Sequence, residues 1–278
     1  MRIDKGSSIN KISSAVLTKS YEHEKFIYYI FLKFWNLYVD KINYGEFIFA
    51  KKSNLISITK IISEPSNVYH NFAVIDGWQE YQLTDLFYEK FKKKIKLNYN
   101  EILADTYKYR STDSINDIIK IMKKNKEAFF LKNSKNILLK KFSQNEIMII
   151  ASLVEREGID DDDKRVISSV IQNRLNKNMK LQIDASTIFS ITQGKYKFTK
   201  KLSLKDLKNP NIYNTYFIKG LPPLPICYVS RKTIDIILEN YNSDYLFYFY
   251  NNRLNRHIYS KTFEKHKKKL KEYRKNEK

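Results

Sequence analysis

Apolar residues recur at helical spacing along much of the chain. Ile9, Ile12 and Val16 follow Gly6-Ser7-Ser8, so a short helix capped by Ser7 or Ser8 is expected. A second helix is expected over 22–38. Residues 45–50 read as a short strand after a turn, and 53–62 as a further helix. Glu64-Pro65-Ser66-Asn67 carries the strongest linker signal and sets an expected boundary. Beyond it come a strand over 69–75, the turn Asp76-Gly77 and a helix over 82–92. The long amphipathic helix over 114–132 has Ile115, Ile118, Ile119 and Met122 on one side. Residues 133–141 are polar and read as an exposed connection.

The pattern sharpens from Ser143 onward. Ser143-Gln-Asn-Glu146 is a capping box opening a helix. The run Ile147 to Val154 is apolar almost all round, which predicts a helix buried on most sides. It ends in Glu155-Arg156-Glu157-Gly158, with Gly158 suited to a left-handed helix end. The four aspartates 160–163 could gather a hard cation. They lack the spacing and glycine of a calcium loop, and the last of them is expected to cap the helix over 164–175. Tyr245 to Tyr250 and His257 to Tyr259 read as a hairpin around Asn251-Asn252, with Ser260 capping a basic terminal helix.

Composition changes this picture little. The 278 residues hold 42% hydrophobic positions, enough for a packed core. The net charge is +21, but Lys outnumbers Arg 42 to 9, which resembles a bias toward AT-rich codons more than phosphate recognition. No nucleic-acid partner is expected. Cys227 is alone, which excludes an internal disulfide, and four scattered histidines argue against a metal site. No apolar stretch approaches the ~20 residues of a spanning helix. A chain of this kind is soluble or has lost an anchor upstream of Met1.

Glu155 stands where the buried helix ends. Its position beside Ile147, Ala151 and Val154 brings it to the edge of the core, in the last turn, where the helix carries partial negative charge. Both effects disfavour the anion and fit a general acid. A structural alternative stays open, with Glu155 paired to Arg156 or Arg165 on a surface turn. Glu157, on the other side of the helix, reads as structural and paired with Arg165 or Arg174.

Several motifs occur in order: Ala151-Ser-Leu-Val-Glu-Arg-Glu157, Asn173-Arg-Leu175, Met179-Lys-Leu-Gln182-Ile-Asp184, Tyr213-Asn-Thr-Tyr216, Gly220-Leu-Pro-Pro223 and His257-Ile-Tyr-Ser260-Lys-Thr262-Phe-Glu264-Lys-His266. Together they resemble the YceG-like family, the endolytic murein transglycosylases of bacteria. Upstream the likeness is looser, at Asp105-Thr-Tyr107 and Val74-Ile-Asp-Gly-Trp78. The resemblance implies an α+β fold. A small LysM-like N-terminal subdomain (1–64) precedes a mixed α/β catalytic domain (65–278) whose buried helix carries the catalytic Glu. It matches that acid to Glu155, and it offers Gln182, Asp184, Asn214 and Tyr216 as substrate-binding groups, with Ser260, Thr262 and Glu264 behind them. Asp184 could equally cap a helix from Ser186 onward.

The implied reaction cleaves the β-1,4 bond between N-acetylmuramic acid and N-acetylglucosamine inside a glycan strand, closing a 1,6-anhydro ring without water. It needs no cofactor and no metal. The implied partners are peptidoglycan strands and peptidoglycan synthases, at the periplasmic face of the inner membrane. Alternatives are a murein-binding module of the same fold without activity, and a basic nucleic-acid binder. Five positions depart from the family pattern: Ala104 and Ala185 replace prolines, Phe189 replaces a tyrosine, and Val229-Ser230 replaces Pro-Gly. The family's N-terminal anchor is absent from this sequence. The basic segment 261–278 reads as a solvated helix, with anionic lipid or stem-peptide carboxylates as the alternative contacts.

Overall fold

The computed structural model describes residues 1–275, so the end of the basic segment, 276–278, lies outside the described residues. Twelve helical segments and six short strands are present among them. The chain forms two compact units, one of residues 1–72 and 106–119, the other of residues 73–105 and from 120 onward.

The first unit opens with β1 (Arg2–Ile3), α1 (Ile9–Val16) and α2 (Glu22–Tyr38). Ser8 caps α1 by accepting the Lys11 N–H at 3.2 Å. The strand expected over 45–50 is regular only at β2 (Gly45–Glu46), which pairs antiparallel with β1. Its continuation is bonded instead by Asn67, whose Oδ1 accepts the Ile48 N–H. Helix α3 (Leu55–Ser63) is capped by Asn54. Ile3, Ile12, Tyr28, Leu32, Phe47 and Ile62 form the core of this unit. β3 (His70–Ala73) and β4 (Thr106–Tyr109) make a second two-stranded sheet.

The second unit contains α4 (Glu80–Phe91), while α5 (Ile115–Lys132) begins in the first unit and ends here. The polar stretch 133–141 is not wholly exposed. It holds α6 (Leu138–Lys141), and Leu138 is buried. Helix α7 (Gln144–Glu157) starts at the expected capping box, with Ser143 Oγ accepting the Glu146 N–H at 3.2 Å. All eight residues from Ile147 to Val154 are buried. The helix packs against α8 (Asp161–Asn176), α9 (Asp184–Thr192) and α11 (Arg231–Leu238), with the short α10 (Leu204–Leu207) between the last two in sequence.

Three local expectations are corrected. Gly158 is extended, with φ −74°, not left-handed. Glycine suits this position because an added Cβ would collide with the Lys164 side chain and press on the Val154 carbonyl. Helix α8 is capped by Asp160, the first aspartate of the run and not the last. The hairpin is formed by β5 (Phe247–Asn251) and β6 (Arg256–Ser260), in register Phe249 to Ile258, and is followed by α12 (Phe263–Lys275). Ser260 does not cap α12. It is buried with its hydroxyl unpaired, and Thr262 Oγ1 accepts the Lys265 N–H instead. The apolar side of α12 covers the hairpin through Phe263 on Phe247 and Tyr273 on Phe249, leaving its lysines outward.

Candidate active site

The last turn of α7 presents two carboxylates on opposite sides, because two helical residues subtend about 200°. Their surroundings differ in kind. Glu155 is dry, with its side chain 3% exposed. One carboxylate oxygen meets the Lys164 ammonium of α8, which also donates to Thr233 Oγ1 at 2.9 Å. The other oxygen accepts the backbone N–H and the hydroxyl of Ser230, the residue that caps α11. Glu155 therefore braces three helices together. It is not on a surface turn, and neither Arg156 nor Arg165 is its partner: Arg156 donates to the Gly77 carbonyl, and Arg165 pairs with Glu239 and Asp162.

Glu157 is partly buried and forms no ion pair among the described residues. Its carboxyl accepts the Tyr248 hydroxyl of β5 at 3.3 Å and lies toward the Ala185 N–H in the first turn of α9. Burial, reinforced by the neighbouring Asp184 charge, raises its pKa from the ordinary carboxyl value to about 7; His257, the Ala185 N–H and Tyr248 act in the opposite direction. The expected pairing with Arg165 or Arg174 is not formed. Arg174 is buried and donates to the carbonyls of Lys180, Leu181 and Leu246, with its guanidinium over the Phe247 ring.

Asp184 is exposed at the start of α9 and accepts the Tyr216 hydroxyl at 2.6 Å. It is not the cap of this helix, because that position belongs to Ile183. Asn214 has no free group to offer a sugar. It is fully buried, its amide N–H groups donate to the carbonyls of Asp206, Leu207 and Asn209, and its oxygen accepts the Thr187 hydroxyl and the Tyr216 N–H. Together with Thr215, which bonds Ile183 N at 2.9 Å and Ser186 Oγ at 2.7 Å, it clasps the loop to α9 and aims the Tyr216 hydroxyl at Asp184. Gln182 is exposed, in a left-handed conformation with φ 51°, and its backbone is held by the Thr215 carbonyl.

Ser260 is buried in the hairpin, and Thr262 and Glu264 organise the start of α12, where the Glu264 carboxyl is held below its ordinary range by backbone and Thr262 hydrogen bonds. Asp184 and Tyr216 are bonded to each other and lie within electrostatic reach of Glu157, while Glu155 belongs to a separate ionic network. Phe189, where the family pattern has tyrosine, is buried edge-on to Tyr99 and against Tyr213, a site with no need of a hydroxyl. Behind Glu157, Asp163 accepts from His257 Nδ1 at 2.8 Å and from the Tyr259 hydroxyl. Burial pushes its carboxyl up, but these bonds outweigh it and hold the pKa below the ordinary value.

Tyr248 and Lys164 were not singled out by sequence, and His257 and Arg174 stood out only as motif residues, Arg174 also as an expected partner of Glu157. Their roles depend on which side of α7 each faces, and the apolar run of α7 is buried on both sides.

A fold of this kind, with these motifs at one helix end, defines a class. A model of the YceG-like family matches residues 1–272, and the chain belongs to the YceG-like family. The endolytic murein transglycosylase of Bacillus subtilis (strain 168) is 32% identical over 197 residues, covering 70% of this chain and 52% of that protein. That of Streptococcus pneumoniae serotype 2 is 32% identical over 137 residues, covering 48% of this chain and 24% of that protein. The chain thus spans about half the length of the first relative and about a quarter of the second. The crystal structure of a YceG-like protein of Listeria monocytogenes shares the fold, with a TM-score of 0.61 at 24% identity, over 96% of this chain and 97% of that one. The α+β architecture is that of the family. No helix among the described residues is long and apolar enough to cross a membrane.

Proposed function

We propose that the chain is an endolytic peptidoglycan lytic transglycosylase. It cuts the β-1,4 bond between N-acetylmuramic acid and N-acetylglucosamine within a strand, leaves a 1,6-anhydro end and so terminates elongation. Residues 1–64 act as the LysM-like subdomain and 65–278 as the catalytic domain. The work takes place in the bacterial cell envelope, on nascent glycan beside peptidoglycan synthases.

The resemblance matched the acid to Glu155. The geometry favours Glu157. The observation that carries this reading is a carboxyl raised to about 7, without an ion-pair partner among the described residues, in the same neighbourhood as the bonded pair Asp184 and Tyr216. Glu155 has both oxygens engaged, one by the Lys164 ammonium and the other by Ser230, which leaves neither oxygen free to meet a sugar.

Neutral Glu157 donates its proton to the glycosidic oxygen as the bond to the muramic anomeric carbon breaks. The resulting carboxylate takes the proton of the C6 hydroxyl as that oxygen attacks the anomeric carbon. One group is acid and then base, and no water is consumed. Hydrolytic glycosidases use two carboxylates, one of them for water or a covalent intermediate. Tyr248 and the Ala185 N–H steady the carboxylate in between.

Mass analysis of fragments released from purified sacculi tests the proposal. Internal cleavage with anhydro-muramic ends is expected, and its loss in Glu157→Gln. Reducing ends formed with water would refute the reaction. Undiminished cutting by Glu157→Gln would refute the acid.

A further inference from the structure

A small pocket of 220 Å³ lies in the second unit at the C-terminal end of α8, apart from the groups around Glu157. Ile137, Leu138 and Lys141 of the α6 turn line it, with Gln172 and Asn176 of α8 and Tyr241 of the loop after α11. Gln172 stands roughly 14 Å along α8 from Asp163, the residue that pairs with His257 behind Glu157. Both walls are pinned. Asn136 donates to the Leu238 carbonyl at 2.9 Å and accepts the Leu138 N–H at 2.9 Å, which fixes the α6 turn to the end of α11. Asn173 donates to the Ser243 carbonyl at 2.6 Å, and Ser169 Oγ accepts the Ser243 N–H at 2.8 Å, which fixes the loop to α8. The hollow is preformed, so a ligand entering it has little chain to order.

Gln172 is its unmet group. The residue is 7% exposed, and its side chain makes a single long bond, from Nε2 to Ser168 Oγ at 3.4 Å. Its carbonyl oxygen and second amide hydrogen have no protein partner among the described residues. A buried amide in that state is stabilised by any ligand that completes its bonds. Asn176 gives its oxygen to the Lys141 ammonium at 3.0 Å and keeps both amide hydrogens unpaired among the described residues.

We propose that this pocket is an accessory subsite for one N-acetylated amino sugar, gripping a glycan strand away from the bond that is cut. An acetamido group carries one N–H and one C=O, the complement of the Gln172 amide. Its methyl suits Leu138 and the exposed Ile137, and the C–H face of the ring suits the half-exposed Tyr241. Asn176 supplies donors for the hydroxyls. The volume falls below the ~300 Å³ at which sites for drug-sized molecules begin, so one sugar fills it. Lys141 is exposed and bonded to a neutral amide, so the site does not call for an acidic ligand. The inference rests on the reading of the chain as acting on glycan for the source of that sugar.

The test titrates the full chain with chitotriose, a soluble trimer of N-acetylglucosamine, and follows the side-chain amide NMR signals of Gln172 and Asn176. Saturable shifts of both are expected. Cellotriose, the same backbone without acetamido groups, should need about tenfold higher concentration. Gln172→Met keeps the length of the side chain and removes its amide, and the Asn176 signal should then need about tenfold more chitotriose. Tyr241→Ala, at an exposed position, should weaken binding about threefold.

Silence of Gln172 and Asn176 under chitotriose would overturn the inference. Equal response to the two trimers would overturn it too, because the acetamido group would then not be what is recognised. A stronger response to acetyl-D-alanyl-D-alanine would make the pocket a peptide site and overturn it as well. None of these results touches the analysis of anhydro ends, and loss of those ends would leave the shifts in place. If Gln172→Met does not fold, Tyr241→Ala and the comparison of trimers carry the test.

Discussion

Glu155 and Glu157 leave the same helix two residues apart, and their fates diverge. Glu155 meets a lysine, a serine hydroxyl and a backbone N–H, all partly buried, and becomes part of the frame. Glu157 meets a tyrosine and the field of a second carboxylate, has no ion-pair partner among the described residues although His257 pulls the other way, and has its pKa raised to about 7. Burial alone does not make a carboxyl an acid. The partner decides, because an ammonium stabilises the anion that burial penalises.

The contrast can be broken from either side. The largest effect is expected at Glu157: replacement by Gln should lower anhydro-product release about 10³-fold, within the range for a lost general acid, measured on sacculi with folding checked by circular dichroism. Next in size is the frame. Lys164→Met leaves the Glu155 carboxylate dry and unpaired, which should cost about 3 kcal/mol in urea unfolding. Replacing both residues by apolar ones of similar shape should recover much of that loss.

Smaller effects sharpen the comparison. The folded Glu157 keeps a proton that the unfolded chain releases, so wild type loses stability as pH rises from about 4.5 to about 7. Gln cannot ionise. Glu157→Gln should therefore be more stable than wild type above pH 7, by about 2 kcal/mol after allowance for partial solvent screening, and no more stable below pH 4. Asp163 carries the opposite sign. Its pKa is depressed, so its contribution is present above the ordinary aspartate value and is lost as pH falls through the folded one. Asp163→Asn should cost about 1–2 kcal/mol at neutral pH, and the difference from wild type should vanish in acid.

Much of the frame was legible in sequence. The bounds of α2, the capping box of α7, its buried run and the β5–β6 hairpin follow from period and turn chemistry alone. Helix α11 was not foreseen. Its cap, Ser230, occupies one of the departures from the family pattern and supplies both a helix start and a donor to Glu155. Asn214 and Thr215 stood out as motif residues, yet they act by clasping a loop. A motif marks where a residue is constrained, and its hydrogen bonds decide whether the constraint is chemical or structural.

The choice between the two glutamates was the least legible feature. Both flank an apolar run that is buried all round, so helical phase does not say which side opens. Lys164 and Tyr248 lie 9 and 91 residues from the glutamates they touch, and those distant contacts assign the roles.

The central claim is that proton transfer belongs to Glu157 and bracing to Glu155. Its most direct measurement is the rate of anhydro-muramic release by Glu155→Gln and Glu157→Gln side by side, at a temperature where both are folded. The account predicts that Glu155→Gln, though less stable, keeps turnover within about tenfold of wild type, while Glu157→Gln is inert. A folded Glu155→Gln without turnover, beside a Glu157→Gln that still cuts, would reverse the assignment.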